Sequence, residues 1–261
     1  MKPPGRWACP AADVSKYTSN GWADMDPYCL KKLNGERQAR RAALLLTDLG
    51  DGRDGVIKES DPVAGLLGDA VRQAFLSGKS TIAEIEGHSF FLNVYVPPPR
   101  LVVIGAVHIS QALAPMAKIS GYDMEIIDPR TAFATPERFP DVKLFAEWPQ
   151  EIFKTRPLDP YTAVAVVTHD PKIDDLALEH ALNAGCFYVG ALGSRKTHAK
   201  RVERLKALRF TNDQIALIHS PIGLDIGAAS PAEIAVAVMG EIIKAFRARG
   251  LQTARHLENT A

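Results

Sequence analysis

The sequence predicts an α/β protein in which a parallel-sheet domain, with helices on both faces, follows a small α+β domain. Three observations point there. Beyond residue 100, short continuous apolar runs alternate with helical segments, the pattern of strands buried on both faces by crossover helices. Before residue 97 the strands instead come in pairs separated by turn residues. Between the two patterns stand Pro97, Pro98 and Pro99, a stiff extended connector that cannot continue a sheet ladder.

Residues 1–24, rich in Pro, Gly and polar side chains, read as a poorly ordered tail without the apolar segment of a signal peptide, and Met25 is an alternative start. The first domain occupies 25–96. Its reading begins with a helix over 26–41 and a strand over 42–47. The glycine-containing stretch 48–55 supplies turn chemistry before a short strand at 56–58. Asp61 followed by Pro62 predicts the cap and first position of a helix that carries Val63, Leu66, Leu67, Ala70 and Ala74 on one face and ends near Gly78. Strands over 81–86 and 89–96 complete the unit.

The second domain occupies 100–250. Strand 101–105, helix 109–120 and strand 123–127 lead into a loop rich in Pro and Thr. Further strands at 163–167 and 187–189 are each followed by a helical segment, and the repeated alternation implies a Rossmann-like, doubly wound sheet. The last helix begins with Ser230 as N-cap, Pro231 at its first position and Glu233 two positions later, and should stop at Gly250, leaving 251–261 as a tail.

Composition narrows the function. A net charge of +1 provides no global attraction to nucleic acid or an acidic membrane surface. No apolar run is long enough for a membrane span. Cys9, Cys29 and Cys186 are odd in number and widely spaced, which fits a reduced, cytoplasmic protein rather than a disulfide framework or zinc site. The sequence has no GxxxxGKS loop, HExxH or GxSxG elbow.

Ligands of such sheets sit at the carboxyl ends of the strands; four segments converge on that edge, and a fifth joins the last two helices. Gly105-Ala-Val-His108-Ile-Ser is either a modified phosphate-binding turn or a plain βα turn; Val107 and Ser110 replace the later glycines of a dinucleotide fingerprint. Asp128-Pro-Arg130 offers a carboxylate for a ribose, an arginine for a phosphate, or a simple ion pair. In Thr168-His169-Asp170-Pro171-Lys172, His169 is the candidate for ligand contact and Asp170 competes as a helix-start residue. Gly190-Ala-Leu-Gly193-Ser194-Arg195-Lys-Thr-His198 reads as an anion cradle at a helix start, or as a capped helix with a solvated basic face. The stretch 221–227, with Asp225 between two glycines, is a closing loop or a structural connector. The adjacent acids Asp174 and Asp175 fall at a helix start, where carboxylates are stabilised in any case.

The segments LVVIGAVHISQALA, IIDPR, VVTHDPKIDD, FYVGALGSRKTHAKR and IHSPIGLDIGAASPAEIAVAV resemble, in order and spacing, the XdhC/CoxI family. The resemblance covers roughly residues 95–246 and is most specific at GALGSRKTHAKR and PIGLDIGA. It implies an accessory protein, not an enzyme: a chaperone that binds the molybdenum cofactor (molybdopterin), supports its sulfuration and delivers it to a molybdenum hydroxylase apoenzyme such as xanthine dehydrogenase. It also implies that Gly190, Gly193, Ser194, Arg195 and His198 line the cofactor site, with Gly105, His108, Asp128 and Asp225 nearby. A cysteine desulfurase is the implied sulfur-delivering partner and a homodimer the implied assembly. Family members carry an N-terminal glycine- and cysteine-containing segment suited to the sulfurated metal; here residues 42–96 contain no cysteine. The competing readings are an NAD(P)-binding Rossmann oxidoreductase, which the branched Val107 opposes, and a scaffold that only contacts partners.

Overall fold

The computed structural model describes residues 26–258, so the N-terminal tail, the alternative start and Cys9 lie outside the described residues. Two separate sheets follow one another along the chain. In the first, β1 (Ala43–Asp48), β2 (Asp54–Lys58), β3 (Thr81–Ile85) and β4 (His88–Tyr95) form an antiparallel sheet ordered β2-β1-β4-β3. Alternation along β1 sends Ala43 and Leu45 to one face and Leu44 to the other. The first face packs on α1 (Pro27–Gln38) through Cys29 and Leu33, and the second on α2 (Gly65–Ser77) through Val71 and Ala74.

The sheet after the prolines is wholly parallel. It contains β5 (Arg100–Ile104), β6 (Asp123–Ile127), β7 (Lys143–Phe145), β8 (Thr162–Val166), β9 (Tyr188–Ala191) and β10 (Ile218–His219), ordered β10-β9-β8-β5-β6-β7. Its first strand in the chain is therefore central, and strand order reverses between β5 and β8, the arrangement of a Rossmann domain. Every residue of β5 and β8 is buried. Leu101 and Val103 face α3 (His108–Ile119) and α8 (Pro231–Glu258), whereas Val102 and Ile104 face α4 (Pro149–Thr155) and α5 (Pro171–Asn183). The helices α6 (Arg195–Ala207) and α7 (Asn212–Ala216) extend that second layer.

Three expectations change. The second helix starts at Gly65, with Ala64 as its cap, and not at Asp61. Asp61 instead closes the turn after β2, its carboxylate accepting the Lys58 N–H at 3.0 Å, a local bond that competes with helix initiation. The last helix passes through Gly250 to Glu258; a single glycine lowers helix propensity without forcing a stop. Strands β7 and β10 escaped the sequence reading because edge strands of three and two residues carry too little pattern.

The first unit docks on the amino-terminal end of the parallel strands. Arg40 donates to Asp159 at 2.7 Å and to the Pro98 carbonyl at 2.9 Å, and Tyr161 donates to Glu59 at 2.9 Å. Arg249 from α8 covers the Tyr161 ring at 3.8 Å. Asp159 and Tyr161 immediately precede β8, so the carboxyl edge lies at the opposite end of the sheet. A double-mutant cycle on Arg40→Ala and Asp159→Ala should give a coupling of about 1 kcal/mol in urea unfolding, the scale of a half-buried charge-assisted bond.

Candidate functional site at the carboxyl edge of the parallel sheet

At the switch point the chain must turn from β5 into α3 against the end of β8. Gly105 has φ +123°, and a Cβ there would meet Thr168 Cγ2 at 3.0 Å and the Thr168 nitrogen at 3.2 Å. Only glycine meets both demands. The turn is then fixed from outside: Ala106 N–H donates to Asp128 at 2.8 Å, Arg138 donates to the Ala106 carbonyl at 2.9 Å, and Ser110 Oγ donates to the Gly105 carbonyl at 2.6 Å.

Asp128, fully buried at the end of β6, takes that N–H together with a two-pronged contact from Arg130 at 2.9 and 2.8 Å. Burial pushes its carboxyl up, but the Arg130 hydrogen bond, followed by the Ala106 and Arg130 backbone N–H groups, brings it below the usual range. The pair thus ties β6 to the β5 turn. Arg130 also feels the carboxylates of Asp170 and Asp174, so the ends of β6 and β8 meet electrostatically.

Helices follow three neighbouring strands at this edge, and they begin differently. The carboxylate of Asp170 caps α5 by accepting Lys172 N–H at 3.0 Å, and the Ser194 hydroxyl caps α6 by accepting Thr197 N–H at 3.2 Å. The N-cap of α3 is Val107, which has no such side chain, so the first amides of α3 receive no side-chain acceptor. His108 stands exposed at that start. His169, also exposed, has φ +65°, a left-handed conformation uncommon outside glycine.

Gly193 has φ +141° and lies against Thr197, with Ser194 and Arg195 exposed beyond it. Gly190 sits within β9 and not at its tip; a Cβ would meet Tyr188 Oη at 2.5 Å and Ile222 at 2.7 Å. It gives the 221–227 loop room to pack on the strand. That loop is anchored by Glu241 of α8, which accepts from Tyr188 Oη at 2.7 Å and Gly223 N–H at 2.8 Å and pairs with His219 at 2.9 Å. Asp225 is exposed on the loop.

The profile of the XdhC Rossmann domain matches residues 101–242, more than half of the chain. This chain belongs to the XdhC family. It is 32% identical over 157 residues to a Bacillus subtilis (strain 168) protein named as a probable xanthine dehydrogenase subunit, covering 60% of this chain and 46% of that one. It is 30% identical over 146 residues to the Escherichia coli (strain K12) molybdenum cofactor insertion chaperone PaoD, covering 56% and 40% respectively. The chain spans less than half the length of the curated relatives it matches. A crystal structure described as that of a xanthine dehydrogenase from Bacillus halodurans aligns with a TM-score of 0.57 at 24% identity, over 84% of this chain and 64% of that one, and shows a shared fold.

Beneath the edge lies a set of buried polar groups whose inward placement the sequence did not predict. Thr168 donates to Asp174, and the Asp170 N–H donates to Thr168 Oγ1 at 3.0 Å. Asp174 is 2% exposed, and Arg201 on α6 is equally buried 3.9 Å away. The adjacent acids therefore separate: Asp174 points inward, while Asp175 pairs with Arg204. The available signals were weak, an Asp-Asp pair at a helix start and an arginine inside a basic run.

Burial raises the Asp174 carboxyl from 3.8 to about 6, against the opposing pull of Thr168 and Arg201. The folded state holds this proton where the unfolded chain has released it. Stability should consequently fall as pH rises from about 4 to about 6. Asp174→Asn should flatten that slope in pH-dependent urea titrations. Gly190→Ala should cost about 1–3 kcal/mol by overpacking, read as a lower midpoint at unchanged m-value.

Proposed function

We propose that this protein carries the molybdenum cofactor as cargo: it binds molybdopterin by its phosphate at the carboxyl edge and passes it to a molybdenum hydroxylase apoenzyme. The observation that carries the proposal is the α3 start. Its amides lack a side-chain acceptor, beside the one glycine that lets the chain approach Thr168, and they lie at the strand-order reversal. Helix N-termini attract phosphates through those amides and the helix dipole. Gly105 and the first turn of α3 would hold the phosphate, with His108, His169, Arg195 and Asp225 around the mouth. The name of the E. coli relative, a molybdenum cofactor insertion chaperone, supports this choice of cargo, and that of the B. subtilis relative supports a xanthine dehydrogenase-type partner.

An accessory role without catalysis fits the same geometry, since the turn is built for binding. Docking of the first unit at the amino-terminal end leaves the cofactor edge facing a partner. Sulfuration at this site would draw on an external donor such as a cysteine desulfurase. Burial raises the thiols of both described cysteines, Cys186 to about 12, which leaves them poor nucleophiles. Homodimeric assembly and a cytoplasmic location complete the reading. Among the described residues, no helix is long and apolar enough to cross a membrane.

The dinucleotide alternative meets two obstacles at the positions it needs. Val107 occupies the place of the second fingerprint glycine, and Asp128, the ribose-binding candidate, is fully buried and engaged by Arg130 and Ala106.

His108→Asp tests the proposal because an acid at the first position stabilises a helix while competing with phosphate for the same amides. The variant should keep its melting temperature and lose roughly tenfold or more in molybdopterin affinity, followed by pterin fluorescence. Unchanged affinity would sink the phosphate site, and micromolar NADH binding by the wild type would favour the oxidoreductase.

A further inference from the structure

We infer that Arg201, although almost wholly buried and remote from solvent, is the positioning residue that sets the distance between the two loops flanking the cargo site. The inference rests on the carboxyl-edge reading for its functional meaning and on hydrogen bonding for its physical content. Arg201 projects from α6 under the ends of three adjacent strands. Its Nη2 donates to the Leu192 carbonyl at 3.0 Å, immediately before Gly193 and Ser194. Its Nη1 reaches Ser220 Oγ at 3.5 Å, at the start of the segment that carries 221–227. Toward β8, Asp174 stands 3.9 Å from Nη2 and also holds Thr168, whose methyl group would lie 3.0 Å from a Cβ at Gly105.

One guanidinium therefore joins the loops that follow β9 and β10 and faces the carboxylate that holds Thr168 beyond β8. A planar fork can bridge two acceptors on separate loops at fixed separation; an ammonium is a single point on a flexible stem. The charged groups around it come from two helices: Asp174 and Asp175 on α5, and His198 and Arg204 on α6. Asp175 is already engaged with Arg204, so Asp174 is the carboxylate left to balance Arg201.

The guanidinium is under-satisfied for so buried a cation. Its Nε has no hydrogen-bond partner, its contact to Ser220 is long, and its carboxylate stands beyond direct hydrogen-bond distance. One turn earlier on the same face of α6, His198 Nδ1 is likewise buried without a partner. A residue serving stability alone would be better satisfied or replaced by an apolar side chain. Placement across three loop bases accounts for a cation at this position.

The test compares wild type with Arg201→Lys and Ser220→Ala in the full chain, with Lys206→Ala at the exposed far end of α6 as control. Two readouts are taken, amide hydrogen exchange over 192–195 and 220–225, and molybdopterin affinity by pterin fluorescence. Arg201→Lys should keep the fold, with melting still cooperative, while both segments exchange about tenfold faster or more and affinity falls by a similar factor. Ser220→Ala should accelerate exchange at 220–225 alone, and the control should change neither readout. Wild-type protection of both segments in a folded Arg201→Lys protein would overturn the inference, as would released segments with unchanged affinity. Should Arg201→Lys fail to fold, Ser220→Ala decides: unaltered exchange at 220–225 overturns the linkage. If the wild type binds no molybdopterin, the cargo reading fails by itself, and the exchange data still judge the linkage.

Discussion

Two strands that carry the chain to opposite halves of the sheet, β5 and β8, must end in contact with no side chain between them. Gly105 makes that possible, since a Cβ would collide with both the side chain and the backbone of Thr168. Everything at the carboxyl edge is arranged around this approach. Asp128 and Arg138 grip the Ala106 peptide from two sides, and Ser110 closes the turn from within the helix. The α3 amides are thereby aimed, with Ser110 the first-turn residue whose own side chain contributes. Preorganised backbone donors of this kind cost no rearrangement when an anion arrives.

The buried polar groups follow from the same geometry. Parallel strands end with backbone carbonyls and loops that must be tied down, and the interior offers few partners. Asp128 at the end of β6, Asp174 behind β8, Arg201 under β9 and β10, and Glu241 behind the last loop each do so with ionic or charge-assisted bonds. Three of them belong to two pairs of opposite sign in a low-dielectric setting, Asp128 with Arg130 at hydrogen-bond distance and Asp174 with Arg201 at 3.9 Å. Their geometry differs because Arg130 reaches solvent and can swing onto its carboxylate, whereas Arg201 is held elsewhere by Leu192 and Ser220.

The two units of the chain divide the labour spatially. The antiparallel unit covers the amino-terminal end of the parallel sheet through Arg40, Glu59 and their partners, and α8 reaches the same seam through Arg249. Its own core is closed on both faces by α1 and α2. The carboxyl edge, where the cargo site is proposed, is consequently built from the parallel-sheet unit.

Much of this was legible in the linear sequence. Apolar runs at 101–105 and 163–167 announced buried parallel strands, Ser230-Pro231 and Glu233 announced a capped helix that forms a reciprocal capping box, and GALGSRKTHAKR announced the family. Those signals are local, carried by side-chain chemistry and spacing within a few residues. What only tertiary structure decided was which polar groups face inward. Asp174 and Asp175 are neighbours with identical chemistry, yet one is buried against Arg201 and the other pairs with Arg204, because helix rotation turns them to different surroundings. Gly190 likewise looked like part of a glycine-rich loop and proved to be a space left for Ile222 from a distant segment. Long-range packing has no signature at the residue it constrains, so the frame could be read ahead of the fold and its internal fastenings could not.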